Sequence, residues 1–102
     1  MKFRKKPVEV EAVKFTGDNW SEMHAFCGHR ETSDGHPVDV FNPAGTYVAD
    51  WPADIKAEVW DWIHTTHVGV TPGQWIIRGT EGEYYPCADD GSGEAPLNYE
   101  PA

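Results

Sequence analysis

The sequence predicts an α+β domain: a mainly antiparallel β-sheet of about five strands with one short helix packed on one face. Three observations carry that prediction. The periodic segments run in the order strand, helix, then a series of strands. The densest strand-forming run, Trp75-Ile76-Ile77-Arg78-Gly79-Thr80-Glu81-Gly82-Glu83-Tyr84-Tyr85-Pro86-Cys87, is entered and divided by turn residues. Helical spacing of apolar residues is confined to the stretch before Gly28. All 102 residues are read as one domain, with a basic arm at 1–6 and an acidic, Gly-rich loop at 88–96.

Pro7 opens the first strand, Val8-Glu9-Val10-Glu11-Ala12-Val13-Lys14-Phe15. Val8, Val10 and Ala12 share one face, and Glu9 and Glu11 the other. Val13 and Phe15 fall on the wrong parity, which predicts a bulge near Ala12. Asn19 and Glu22 have capping-box spacing, and Trp20, Met23, Phe26 and Cys27 recur as one helix face. Gly28 is the expected stop. Residues 29–37 are polar around an Asp34-Gly35 turn. Val38-Asp39-Val40-Phe41 reads as a short strand, Asn42-Pro43-Ala44-Gly45 as a turn, and Thr46-Tyr47-Val48 as a segment that can pair back.

Residues 57–65 read as one long strand that Val68-Gly69-Val70 continues. Ala57, Val59, Ile63 and Thr65 lie on one face, with Asp61 intruding; Trp60, Trp62 and His64 lie on the other. Thr71-Pro72-Gly73-Gln74 has Pro and Gly where a type II turn needs them. Beyond it Ile76 and Ile77 put apolar groups on both faces, which predicts an interior hairpin turning at Glu81-Gly82. Pro86 ends the pairing or marks an edge strand. Leu97 and Tyr99 suit a short final strand.

The net charge of −9 is unevenly spread. Lys2, Arg4, Lys5 and Lys6 are half of the 8 cations, so residues 7–102 hold four cations against 17 acids. An acidic body disfavours general nucleic-acid binding, because phosphate binding is driven by neutralising cations. Two cysteines, no signal peptide and no apolar run of membrane length predict a soluble cytosolic protein with free thiols. No membrane partner is expected.

Little in the chain specifies chemistry. His24, Cys27 and His29 are close in sequence but lack the second ligand pair of a zinc site, and His64 and His67 face opposite ways on a strand. No metal and no cofactor is expected. Cys27 or Cys87 beside a histidine, or Glu81 or Glu83 near His64, could serve nucleophilic or acid–base catalysis, but no local signature is present and among 17 acids such pairs arise by chance. Gly79-Thr80-Glu81-Gly82 is not a phosphate loop, since no Lys-Ser or Lys-Thr and no helix follows. The aromatic content is the stronger signal: five Trp, four Tyr and four Phe. Trp60, Trp62 and His64, with Trp75, Tyr84 and Tyr85 on neighbouring strands and Arg78 among them, form a candidate ligand site. Rings stack a planar base and a guanidinium forks a phosphate. The competing reading is that these rings are core and subunit interface.

The chain also resembles a widespread family of small proteins of tailed bacteriophages and prophages. The resemblance rests on Lys5-Lys6-Pro7-Val8, Glu11-Ala12-Val13-Lys14-Phe15, Gly17-Asp18-Asn19-Trp20, Val68-Gly69-Val70 and Pro72-Gly73-Gln74-Trp75-Ile76-Ile77-Arg78-Gly79. It closes with Gly82-Glu83-Tyr84-Tyr85-Pro86-Cys87 and Tyr99-Glu100-Pro101. Gln74 stands where the family usually has Asp, and residues 89–96 differ from its usual short acidic-apolar segment. The resemblance implies a phage origin and action in the host bacterial cytoplasm, and it transfers no catalytic residue. It points to a non-enzymatic accessory protein, an oligomeric sponge for a nucleotide-derived immune signal. The alternatives are a protein-binding inhibitor using an aromatic surface and, further behind, a small hydrolase or isomerase.

Overall fold

Three small antiparallel sheets and one helix make up the computed structural model, which describes residues 11–89. The fold is α+β and dominated by antiparallel sheet. The single sheet of about five strands is corrected to eight strands in three sheets. The arm at 1–6, the loop beyond Asp89 and the tail strand at Leu97 and Tyr99 lie outside the described residues.

The first sheet has the order β1-β7-β8, formed by Glu11–Lys14, Trp75–Arg78 and Tyr84–Cys87. Strand β7 is central, as its two-sided apolar pattern requires: Ile76 is 0% and Ile77 3% exposed. The register Glu11↔Arg78 to Lys14↔Trp75 is unbroken, so no bulge occurs at Ala12. The Pro72-Gly73 turn forms as expected, with Gly73 at φ 98 and the Gln74 amide bonded to Thr71 O at 3.2 Å. The Gln74 side chain reinforces it by accepting Thr71 N–H at 2.8 Å. The next connection spans residues 79–83, closed by Gly79 N–H on Glu83 O at 2.8 Å, with Gly82 at φ 81. Pro86 lies in β8, an edge strand among the described residues, opposite Ile76, and pairing continues to Cys87.

Helix α1, Trp20–Cys27, ends at Gly28, whose φ is 69 and whose N–H bonds His24 O at 2.8 Å. The capping box does not form. Asn19 turns its side chain backwards, accepting Thr16 N–H at 2.9 Å and donating to Lys14 O at 2.8 Å. Glu22 meets only the Asn19 amide, at 2.8 Å. The side chain that should cap the helix closes the loop between β1 and α1 instead.

The second sheet is a two-stranded ribbon of β2, His29–Glu31, which falls where a polar turn was expected, and β3, Pro37–Asp39, which holds the first half of the strand expected at 38–41. Val40 then bends, and Phe41–Pro43 joins the third sheet as β4. That sheet has the order β4-β5-β6, with β5 Ala57–Asp61 and β6 Thr66–Val70. The long strand at 57–65 is therefore corrected. It ends at Asp61, and Val68-Gly69-Val70 belongs to a returning partner strand. Thr46-Tyr47-Val48 does not pair back as a strand. The core is one cluster of Phe15, Met23, Cys27, Val40, Phe41, Ala57, Val59, Val70 and Ile76, to which the helix and strands β4, β5, β6 and β7 contribute.

Candidate functional site

The structure splits the expected site. Trp75, Arg78, Tyr84 and Tyr85 lie in the first sheet, and Trp60, Trp62 and His64 lie in or beside the third.

Arg78 is spent on the fold. Helix α1 leaves its last carbonyls without intrahelical partners. Arg78 Nη2 donates to one of them, Phe26 O, at 2.6 Å, and the Tyr84 hydroxyl donates to the same oxygen at 3.1 Å. Arg78 Nε donates to the Tyr84 hydroxyl at 3.0 Å, and Nη1 to Glu11 Oε2 at 2.9 Å. Its guanidinium also lies over the Phe26 ring at 4.9 Å. The Tyr84 hydrogen bond and the Glu11 charge raise its already high pKa. This clasp joins helix end, central strand and both edges. Beside it, burial pushes the Cys27 thiol from 9.0 up to about 12, against the pull of Arg78, so a thiolate nucleophile is disfavoured there. Trp75 pairs with Lys14 and Cys87 across the strands, under the Lys14 ammonium at 5.9 Å.

Trp62 and His64 sit on the β5–β6 turn rather than on a strand face. Asp61 makes that turn: its Oδ1 accepts the N–H groups of Ile63 at 3.0 Å and His64 at 3.2 Å. Its Oδ2 lies 2.7 Å from His64 Nδ1. Burial raises the Asp61 pKa, but the hydrogen bonds and charge of His64 outweigh it and the net shift is downward. The turn closes through Thr65 at φ 49, left-handed backbone that a β-branched residue rarely adopts. Trp62 and Ile63 are left exposed, at 49% and 43%.

The third sheet contains a feature that the sequence reading missed. Glu58 on β5 is 0% exposed. Its carboxylate accepts Gly45 N–H at 2.9 Å, Tyr47 N–H at 3.0 Å, Val48 N–H at 3.4 Å and Trp51 Nε1–H at 3.2 Å. A buried carboxylate needs donors around both oxygens, and here a loop supplies them from its backbone. Gly69, paired opposite Glu58, makes the space: a Cβ there would come within 3.0 Å of Ile55 and 3.1 Å of Trp51. The Glu58 cage therefore fixes the course of residues 44–51.

That course places Tyr47 flat on His67, with ring centroids 5.1 Å apart and planes at 15°. His67 meets the Trp60 ring edge at 4.9 Å, and Arg30 lies over Trp60 at 4.1 Å. Burial holds the His67 imidazole below its ordinary 6.5, with Glu58 pulling it up and Arg30 pushing it down. The result is a column of Arg30, Trp60, His67 and Tyr47. It pairs rings with a guanidinium, but of the residues the sequence reading chose it contains only Trp60, and its cation is Arg30. Among the described residues Arg30 has no carboxylate partner.

At the Tyr47 end of the column lies an open groove of about 590 Å³, lined by His29, Pro37, Val38, Asp39, Asn42 and Tyr47. Asp39 Oδ1 is 3.1 Å from His29 Nε2, and Oδ2 is 4.0 Å from His24 Nε2. Asn42 donates its side-chain amide to Asp39 O at 2.7 Å. Among the described residues no group of three or more His, Cys, Asp or Glu is placed to hold a metal ion. No helix of the described residues is long and apolar enough to cross a membrane. Of the groove residues, the sequence reading placed Val38 and Asp39 on a short strand and weighed His29 only as a metal ligand, and the turn it expected at Asn42 and Pro43 is corrected to strand β4.

Comparison with protein-family models, with curated proteins and with solved structures finds no match for this chain.

Proposed function

We propose that the chain is a small non-enzymatic bacteriophage accessory protein that acts in the host bacterial cytoplasm. It binds and sequesters a nucleotide-derived small molecule, such as a host immune signal, as a homo-oligomer. One observation carries the binding part: a groove of about 590 Å³ is walled by an aromatic platform, Tyr47, and by polar groups at its edge, Asp39, His29 and Asn42. That volume lies within the range of small-molecule sites, and the mix of one ring with a few placed polar groups is what such sites use. The phage part rests on the sequence resemblance. Titration calorimetry with a panel of mono-, di- and cyclic nucleotides tests the reading. Binding is expected at submicromolar affinity, with every ligand recovered unchanged by mass spectrometry. No heat and no thermal shift from any of them would sink it.

A second reading is supported by Trp62 and Ile63, adjacent on the β5–β6 turn and both near half exposed. A protein partner held there would be lost on Trp62→Ser, with the nucleotide titrations unchanged.

A further inference from the structure

The lining of the groove is chemically one-sided. Asp39 is acceptor-only when ionised, and its side chain is 37% exposed. Asn42 is 7% exposed, and its amide donates to a backbone carbonyl, Asp39 O. A carbonyl can only accept, so the amide orientation is fixed, leaving its oxygen as an acceptor beside one remaining N–H. His29 turns Nε2 to the Asp39 carboxylate at 3.1 Å; in the neutral ring this nitrogen donates and Nδ1 is left as an acceptor. Among the described residues no Lys or Arg lines the groove. The residues around Tyr47 thus present mainly acceptors, one of them charged, in a body whose residues 7–102 hold 17 acids and four cations.

We infer that the groove selects a planar group carrying two adjacent N–H donors, stacked on Tyr47 and forked onto the Asp39 carboxylate. This rests on the small-ligand reading above and names its chemistry. Among nucleotides the match is a guanine, whose ring N–H and exocyclic amine lie side by side on the Watson–Crick edge. Adenine offers only one donor group there, beside an acceptor that would face a carboxylate. A guanidinium carries the same donor fork and pairs with a carboxylate in the same bidentate way. The phosphate of a nucleotide then points out of the groove, because no Lys or Arg among the described residues lines it.

The test compares GMP, IMP, AMP and agmatine by calorimetry on the full chain, with Asp39→Asn and Tyr47→Leu as variants. GMP is expected to bind roughly 10- to 100-fold more tightly than AMP, the scale of one bidentate pair, with IMP between because it keeps the ring N–H and lacks the amine. Asp39→Asn should collapse the GMP preference to within about threefold, and Tyr47→Leu should weaken every ligand that binds. Binding of agmatine with GMP silent supports the donor fork and assigns its source to a guanidinium instead of a base. AMP binding as tightly as GMP, with agmatine silent, overturns the inference and leaves the small-ligand reading standing. Silence from all four at millimolar concentration overturns both. If Asp39→Asn fails to fold, the four-ligand series on the unaltered chain still decides.

Discussion

Arg78 and Glu58 divide the molecule into two regions that treat charge in opposite ways. Arg78 belongs to the first sheet and gives its donors to groups that regular structure leaves open: a helix-end carbonyl, a tyrosine hydroxyl and a carboxylate on the neighbouring strand. It ties together elements that would exist without it. Glu58 belongs to the third sheet and does the reverse. The backbone amides of a loop converge on it, and that loop has no strand or helix of its own between Pro43 and Ala57. A charge that joins regular elements is a staple; a charge that replaces them is a template. The groove stands on the template, because Tyr47 is one of the residues whose amide Glu58 holds.

The largest effect is expected from Glu58→Ala. It strands three backbone N–H groups and the Trp51 indole, and should cost about 3–5 kcal/mol in urea unfolding, with the groove lost. Arg78→Ala should cost less, about 1.5–3 kcal/mol, since Phe26 O keeps the Tyr84 hydroxyl and the site is partly open to water. A ligand-affinity loss in Arg78→Ala at full stability would break the comparison, by showing that this arginine serves a ligand after all. A smaller effect follows from His67. Its folded pKa is below the unfolded 6.5, so the unfolded chain binds more protons between the two values. Stability should be fully present above pH 6.5 and decline as pH falls from there toward the folded pKa. His67→Gln should flatten that part of a thermal-midpoint profile. Tyr47→Ala should change stability least, within about 0.5 kcal/mol, because the ring is 48% exposed and its backbone amide still serves Glu58. Its effect belongs to ligand titrations.

The staple region was largely legible in the sequence, and the template region was not. Ile76 and Ile77 gave a central strand, Pro72-Gly73 a type II turn and Gly28 a helix stop, because each is a local rule that tertiary contacts reinforce. Arg78 was noticed for a sound reason, a lone cation among rings, but the carbonyl it meets comes from a residue 52 positions away. Asp61 was seen only as a polar intruder on an apolar face. It is the residue that starts the turn, and strand-forming Trp62, Ile63 and Thr65 masked that. His29-Arg30-Glu31 gives no two-sided pattern, since its outer residues are exposed and only Arg30 packs. Glu58 is one of 17 acids, and nothing local distinguishes it. What singles it out is its pairing with Gly69 and a loop that arrives from earlier in the chain.

The two-stranded ribbon of β2 and β3 has a consequence for how occupancy of the groove can be observed. It lacks a third strand among the described residues, yet it carries His29, Pro37, Val38 and Asp39 of the groove wall. Its ladder amides open to solvent without any other sheet having to part, so they should exchange with deuterium sooner than those of β7. A molecule bridging Asp39 and Tyr47 would tie this loose ribbon to the loop held by Glu58. Slowed exchange confined to residues 29–31 and 37–39 would then report binding as a local gain in lifetime, even where the midpoint of global unfolding does not move.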